Sequence, residues 1–283
     1  MIEVVVKNYR NITGEGGDNF TSEDFKKLEE CNAAFIIKGV FSTEELAAIK
    51  SKIPDLQNTR TDLHNKMGFT YPTTIYLLDT FSKDELQKKY FNYTRKLIDD
   101  SDAELGFDMK KIFDLLASIC KVSSLHLLKD ESQTKHYFAP LSLRYLHPSF
   151  GEMTFHCEKD LKRLSSYFYS NTKNQISDRN IFSFFLMVNK PTEGGLFSIF
   201  DMKQHDVKQK LSDTEVKLHN NKVVNIENDI QPNLIELAPG DLLLFNGGEL
   251  WHRAEIVLGK EPRITLGGFL AEGLNDGKMY VWS

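Results

Sequence analysis

The sequence predicts a mainly β protein, an all-β barrel or jelly roll with helices flanking it on the N-terminal side, and three observations predict it. From about Tyr137 onward, short β-type runs alternate with Gly, Pro and Asn: "LSLRYLH", "MTFHCE", "IFSFFLMV", "GLFSIFD", "KVVNI", "NLIEL", "DLLLFN", "WHRAEIVL" and "RITLGGFL". Regularly spaced short strands with turn signals between them are the pattern of a sandwiched or closed antiparallel sheet. Before that point the apolar residues recur with the period of amphipathic helices. Finally, 283 residues with 41% hydrophobic and 11% aromatic content supply one sizeable core, so one elaborated domain over 1–283 is expected.

The elements follow in order. Thr21 and Asp24 in "TSEDFKKLEE" form a capping box, and Phe25, Leu28 and Cys31 then line one helix face. The run "AFIIKGVF" reads as a short strand. Ser42 and Glu45 open a second helix carrying Leu46, Ile49 and Ile53. Leu86, Tyr90, Tyr93 and Leu97 predict a third, and Ile112, Leu116, Ile119 and Leu125 a fourth from about Asp108. The helical part thus covers about 20–130 and the β core about 137–271, with Pro239-Gly240-Asp241 the clearest hairpin signal. A lysine- and asparagine-rich stretch at about 202–231 reads as an insertion on the barrel rim.

Composition excludes several classes. Lys plus Arg is 35 against 40 for Asp plus Glu, a net charge of −5 without long runs of one sign, so no nucleic-acid partner is expected. The valine run near the start is too short for a signal-peptide core, and the longest apolar stretch, 181–188, has strand length, so no membrane association and a cytoplasmic location are expected. Cys31, Cys120 and Cys157 are odd in number and widely spaced, which reads as reduced thiols. The N-x-S/T matches at Asn11, Asn19 and Asn92 carry no weight without a secretory route.

The chemistry is carried by "MTFHCEKD". In an extended segment residues i and i+2 share a face, so His156 and Glu158 can meet one metal while Cys157 turns away. Alone, the triplet is equally a hydrogen-bonded histidine beside a solvated glutamate. Downstream, His252 follows a strand and a Gly-Gly turn, and Arg263 lies eleven residues after it, with Thr265 two further on. A buried arginine is costly unless it meets an anion, and a guanidinium with a neighbouring hydroxyl suits a small carboxylate.

HCE, WHR and RIT in this order resemble the Fe(II)/2-oxoglutarate-dependent dioxygenase superfamily over roughly Tyr137 to Leu270, and "FIIKGVFSTEELAAIK" resembles the strand-then-helix entry of its hydroxylase branches. The resemblance implies a double-stranded β-helix, a jelly-roll or cupin-like barrel. It implies His156, Glu158 and His252 as catalytic iron ligands, a facial arrangement with open positions. It implies Arg263 as the anchor of the distal carboxylate of 2-oxoglutarate, Thr265 as its assistant, and Tyr145, eleven residues before His156, as a further cosubstrate contact for which Arg144 competes. Fe(II), 2-oxoglutarate and O2 are the implied cofactor set. Glu158 is longer than the more frequent aspartate. Halogenating relatives carry a small residue there, so the resemblance implies hydroxylation of an unactivated C–H bond.

The expected substrate is a small molecule, first a free amino acid or related metabolite and second a protein side chain as in prolyl-type hydroxylases. A non-catalytic jelly-roll binding protein is the rival from another class, and a zinc hydrolase would leave Arg263 and Thr265 unexplained. The insertions at about 160–180 and 202–231 are expected to decide specificity. Lys159, Lys162 and Arg163 followed by "SSYFYS" read either as a lid or as a solvated basic face, and "NKMGFTYP" as a substrate loop or a connector.

Overall fold

A computed structural model describes residues 2–13, 20–59, 61–62, 67–79, 83–133, 135–159, 165–212 and 214–283. Its strands are β1 (Glu3–Asn8), β2 (Ala33–Lys38), β3 (Thr61–Asp62), β4 (Gly68–Tyr71), β5 (Leu125–Leu127), β6 (Ser142–Leu146), β7 (Ile176–Asn189), β8 (Phe197–Lys203), β9 (Val207–Lys210), β10 (Glu215–Leu218), β11 (Val223–Asn225), β12 (Pro232–Ile235), β13 (Leu242–Phe245), β14 (Leu250–Ala254), β15 (Arg263–Gly273) and β16 (Met279–Trp282). The protein is mainly β with flanking helices, as the sequence predicts.

A large sheet runs β1-β2-β13-β7-β15-β6-β4-β3, with β16 on β15 and β5 on β16. A small sheet runs β12-β8-β14. The two longest strands, β7 and β15, pair antiparallel along most of their length and form the spine of the large sheet.

Period-two alternation assigns the faces. On β13, Leu242 and Leu244 pack with Leu186, Leu28, Ile49, Leu97 and Ile112 in the layer between large sheet and helices. Leu243 and Phe245 turn the other way, to Phe197, Ile199 and Leu250 of the small sheet. Nearly every residue of β7 from Ile181 onward is buried, which is why that run reads as continuous rather than alternating hydrophobicity. Both predicted capping boxes close: Asp24 N–H donates to Thr21 Oγ1 at 3.1 Å and Thr21 N–H to Asp24 Oδ2 at 2.8 Å. Glu45 N–H donates to Ser42 Oγ at 3.3 Å, and Ser42 N–H to Glu45 Oε2 at 2.7 Å.

Three expectations are corrected. The fourth helix spans Lys110–Cys120 and ends at Lys121, whose φ of 56° is left-handed; Leu125 therefore opens β5. Pro239-Gly240-Asp241 does turn, with Gly240 at φ +92° and Asp241 Oδ1 accepting from Gly39 N–H, but it is no hairpin. It carries the chain from β12 in the small sheet to β13 in the large one, because turn chemistry sets a local reversal and not the pairing partner. "MTFHCE" forms an isolated bridge, His156 to His252, rather than a strand. The stretch at 202–231 holds β9, β10 and β11 as a three-stranded sheet of their own and a short helix, Ile226–Asp229.

Candidate active site

Between the two sheets lies a cavity of about 690 Å³ of atom-free space, its mouth included, lined from both. β6, β7, β13 and β15 supply one wall; Phe197 of β8, with His252 and Ala254 of β14, supplies the other.

His156 and His252 face each other across the bridge. Each backbone N–H donates to the other's carbonyl, at 3.0 and 2.9 Å. The pairing of β14 with β8 is irregular between Leu250 and His252, the kind of bulge that re-aims a side chain beside a functional site. Trp251 consequently stacks on Phe155 in an outer cluster, at 4.4 Å, while His252 turns into the cavity between Phe197 and Phe245.

Both imidazoles are oriented alike. His156 Nδ1 lies 2.6 Å from Thr154 O and His252 Nδ1 2.8 Å from Leu250 O, so in each ring the Nδ1–H donates to a carbonyl two residues back. That assigns the lone pair to Nε2. His252 Nε2 lies 3.1 Å and His156 Nε2 3.7 Å from Glu158 Oε1. The three ligand atoms fall within 4.8 Å of one another, and Glu158 Oε2 has no hydrogen-bond partner. Three acceptors converge with no proton donor among them, an arrangement that a cation completes. Two imidazoles and one carboxylate are the donor set that suits ferrous iron with positions left open.

The electrostatics agree. Burial, reinforced by the other imidazole, pushes the His156 pKa down to about 4, so its ring is a neutral ligand at physiological pH. Burial alone would raise the Glu158 carboxyl, but His252, His156 and Arg144 hold it below the usual carboxylate value.

The longer glutamate arm is accommodated by the Gly-Gly turn. Glu158 N–H donates to Gly247 O at 3.0 Å, and a Cβ at position 247 would sit 2.6 Å from Glu158 Oε2 and closer still to Ser183 Oγ.

Arg263 and Thr265 alternate with Ile264 on β15 and both line the cavity. Arg263 is 2% exposed, its Nε donates to Gly195 O at 3.0 Å, its guanidinium lies over Phe185, and its Nη2 has no partner. Burial, and then the nearby Arg144, pushes its pKa down to about 9. A desolvated guanidinium with a free N–H aimed into a cavity is an anion site.

Tyr145 is not part of this wall. It faces the helix layer with Leu143, stacked on Phe69 at 4.8 Å. Arg144, opposite Thr265 in the ladder, lines the cavity instead. Strand alternation was the signal: Ser142 and Arg144 share one face and Leu143 and Tyr145 the other. Tyr76, from the 3-10 turn Ile75–Leu77, also lines the cavity and was not anticipated; burial, then Glu158, pushes its phenol well above the ordinary value. No periodicity marks a residue on so short a turn.

Lys159 pairs with Glu249 at the rim, while Lys162 and Arg163 lie outside the described residues. Ser165 caps the helix Ser166–Thr172, and Phe168 packs edge-on to Phe138. Among the described residues, His156, Glu158 and His252 are the group able to hold a metal. Elsewhere His136 stacks on Phe91, His147 on Phe150, and His205 meets Glu249.

The family model described as carrier-protein-independent halogenase WelO5 matches residues 23–283. The chain belongs to this family. It is a 2-oxoglutarate-dependent oxygenase, and iron, 2-oxoglutarate and dioxygen are the cofactor set of the WelO5 family. No curated protein matches the chain. Among solved structures, an N-substituted L-amino acid dioxygenase from Burkholderia ambifaria AMMD is similar at TM-score 0.54 and 15% identity, covering 91% of this chain and 90% of that one. The same enzyme in complex with α-ketoglutarate gives TM-score 0.54 and 15% identity over 90% and 89%. SnoN, a non-heme α-ketoglutarate-dependent epimerase from nogalamycin biosynthesis, gives TM-score 0.50 and 10% identity over 89% and 84%. At these identities the likeness speaks for the fold. Among the described residues, no helix is long and apolar enough to cross a membrane.

Proposed function

We propose that this WelO5-family chain is a hydroxylase rather than a halogenase, inserting oxygen into an unactivated C–H bond of a small molecule, first of all a free amino acid or related metabolite. The observation that carries this is Glu158. Its buried carboxylate stands 3.1 Å from His252 Nε2, where halogenating relatives keep a small residue to admit halide. A halide brought to the same cation would meet a carboxylate charge in a low-dielectric cavity, and like charges that close cost several kcal/mol.

His156, Glu158 and His252 hold Fe(II), their orientation set by the two Nδ1–H bonds to Thr154 and Leu250. Arg263 receives the distal carboxylate of 2-oxoglutarate through its free Nη2, with the Thr265 hydroxyl beside it. Iron held there would supply the activation of dioxygen, the oxidant in a reaction that takes 2-oxoglutarate, O2 and R–H to succinate, carbon dioxide and R–OH. The phenylalanine-lined walls exclude water, which keeps the oxidation on substrate rather than on solvent. In this reading the two sheets are the halves of a double-stranded β-helix, 1–283 is one catalytic domain, and the enzyme works in the cytoplasm.

The test is aerobic succinate release from iron-loaded protein in the presence of an amino-acid and small-metabolite panel with chloride in the buffer. A stimulated product heavier by one oxygen atom is expected. A chlorinated product overturns the reading.

A further inference from the structure

The cavity contains a second guanidinium, Arg144, to which iron and keto acid leave no counter-charge among the described residues. Arg144 reaches it from β6, directly across the ladder from Thr265. Its Nε is buried without a partner, and among the described residues its side chain makes one hydrogen bond, from Nη1 to the Met153 sulfur at 2.8 Å. A thioether is a weak acceptor and carries no charge. The nearby acid, Glu158, is the carboxylate corner of the candidate metal site.

A charge count shows what is missing. Glu158 and dianionic 2-oxoglutarate bring three negative charges, while ferrous iron, Arg263 and Arg144 bring four positive ones. With Arg263 alone the count closes to zero; Arg144 leaves one positive charge over. An uncompensated charge in a cavity of this kind is costly, and the component not yet counted is the primary substrate.

We propose, building on the oxygenase reading above, that the primary substrate is an acid whose carboxylate pairs with Arg144, its apolar body lying against Phe185, Phe197 and Phe245. The fork of a guanidinium matches a carboxylate's two oxygens, and the phenylalanines offer little to a polar body. Free and N-acylated amino acids are both acids of this class, and their primary amides are not.

The experiment uses the full chain loaded anaerobically with Fe(II) and 2-oxoglutarate. It is titrated with matched pairs, free L-amino acids and N-acetyl-L-amino acids against their primary amides, and read by calorimetry and by the shift of the visible charge-transfer band. At least one acid is expected to bind, with its amide about tenfold weaker or worse, the usual scale for a charge-assisted pair. Arg144→Met is expected to abolish that preference while the 2-oxoglutarate Kd stays put, and Arg144→Lys to keep part of it. Circular dichroism confirms that the variants fold, and the acid–amide comparison needs no variant at all. A set in which no acid outbinds its amide overturns the proposal. So does an Arg144→Met protein that loses 2-oxoglutarate as Arg263→Met does, because Arg144 then serves the cosubstrate. Failure of the oxygenase reading has a separate signature, wild-type protein that binds no 2-oxoglutarate with iron present, and it takes the proposal down with it.

Discussion

His156 and His252 exchange both backbone hydrogen bonds across a single bridge, and their rings stand 4.4 Å apart, centroid to centroid. Residues 96 positions apart in sequence are thereby held as one unit, with Glu158 closing the third corner. Main-chain pairing fixes where the two imidazoles start, and the Nδ1–H bonds to Thr154 and Leu250 fix how they turn.

Glu158→Gly should remove one of three ligand atoms and vacate the corner a halide would take. Iron affinity is expected to fall at least about tenfold, as disturbed metal sites typically do. Chloride, without effect on the wild-type charge-transfer band, should perturb that of the variant. Wild-type protein responding to chloride would count against the hydroxylase assignment.

Gly247→Ala tests the room made for the glutamate. Its new Cβ would lie 2.6 Å from Glu158 Oε2, so either the carboxylate or Ser183 must move. The expected result is weaker iron binding together with about 1–3 kcal/mol lost in stability, the usual cost of overpacking. Unchanged iron titration would show that the turn is not needed for the longer arm.

Tyr145→Phe is expected to leave the 2-oxoglutarate Kd unchanged, since Tyr145 stacks on Phe69 and faces the helices. Arg263→Met, by contrast, should raise that Kd about a hundredfold, roughly the 2–3 kcal/mol of a lost charge-assisted fork. Calorimetry on both variants separates the two positions.

Acid should destabilise the metal-free protein in a defined window. His156 titrates near 4 in the folded chain because burial opposes its charging, while an unfolded histidine titrates near its ordinary 6.5. Between these values the unfolded chain binds the extra proton, so stability falls as pH drops from about 6.5 toward 4. His156→Asn should flatten that part of the Tm profile; an equally steep profile in the variant would assign the loss to other groups.

Much of the β architecture was legible because its strands are continuous apolar runs. "IFSFFLMV" and "RITLGGFL" fall within β7 and β15, and the "LLLF" of "DLLLFN" is β13, the strands that carry the sheet. The convergence of His156 with Glu158 was legible from i, i+2 alternation, although the segment is a bridge and not a strand. What was hidden depends on partners rather than on local pattern. β1, whose exposed Val4 and Val6 look like loop residues, joins the sheet only because β2 pairs with it in parallel. The Pro239-Gly240-Asp241 turn announces a reversal but not a change of sheet. Choosing Tyr145 over its neighbour followed a spacing rule, whereas the face of β6 is set by which side packs on helices, and that puts Arg144 inside.

The most direct measurement is an anaerobic titration of Fe(II) into the protein with 2-oxoglutarate present, followed in the visible region. Wild-type chain should develop a weak charge-transfer band at one iron per chain, requiring both additions, and His252→Ala should show none. A band that fails to form in the wild type, or that forms equally well without His252, would contradict the three-residue iron site.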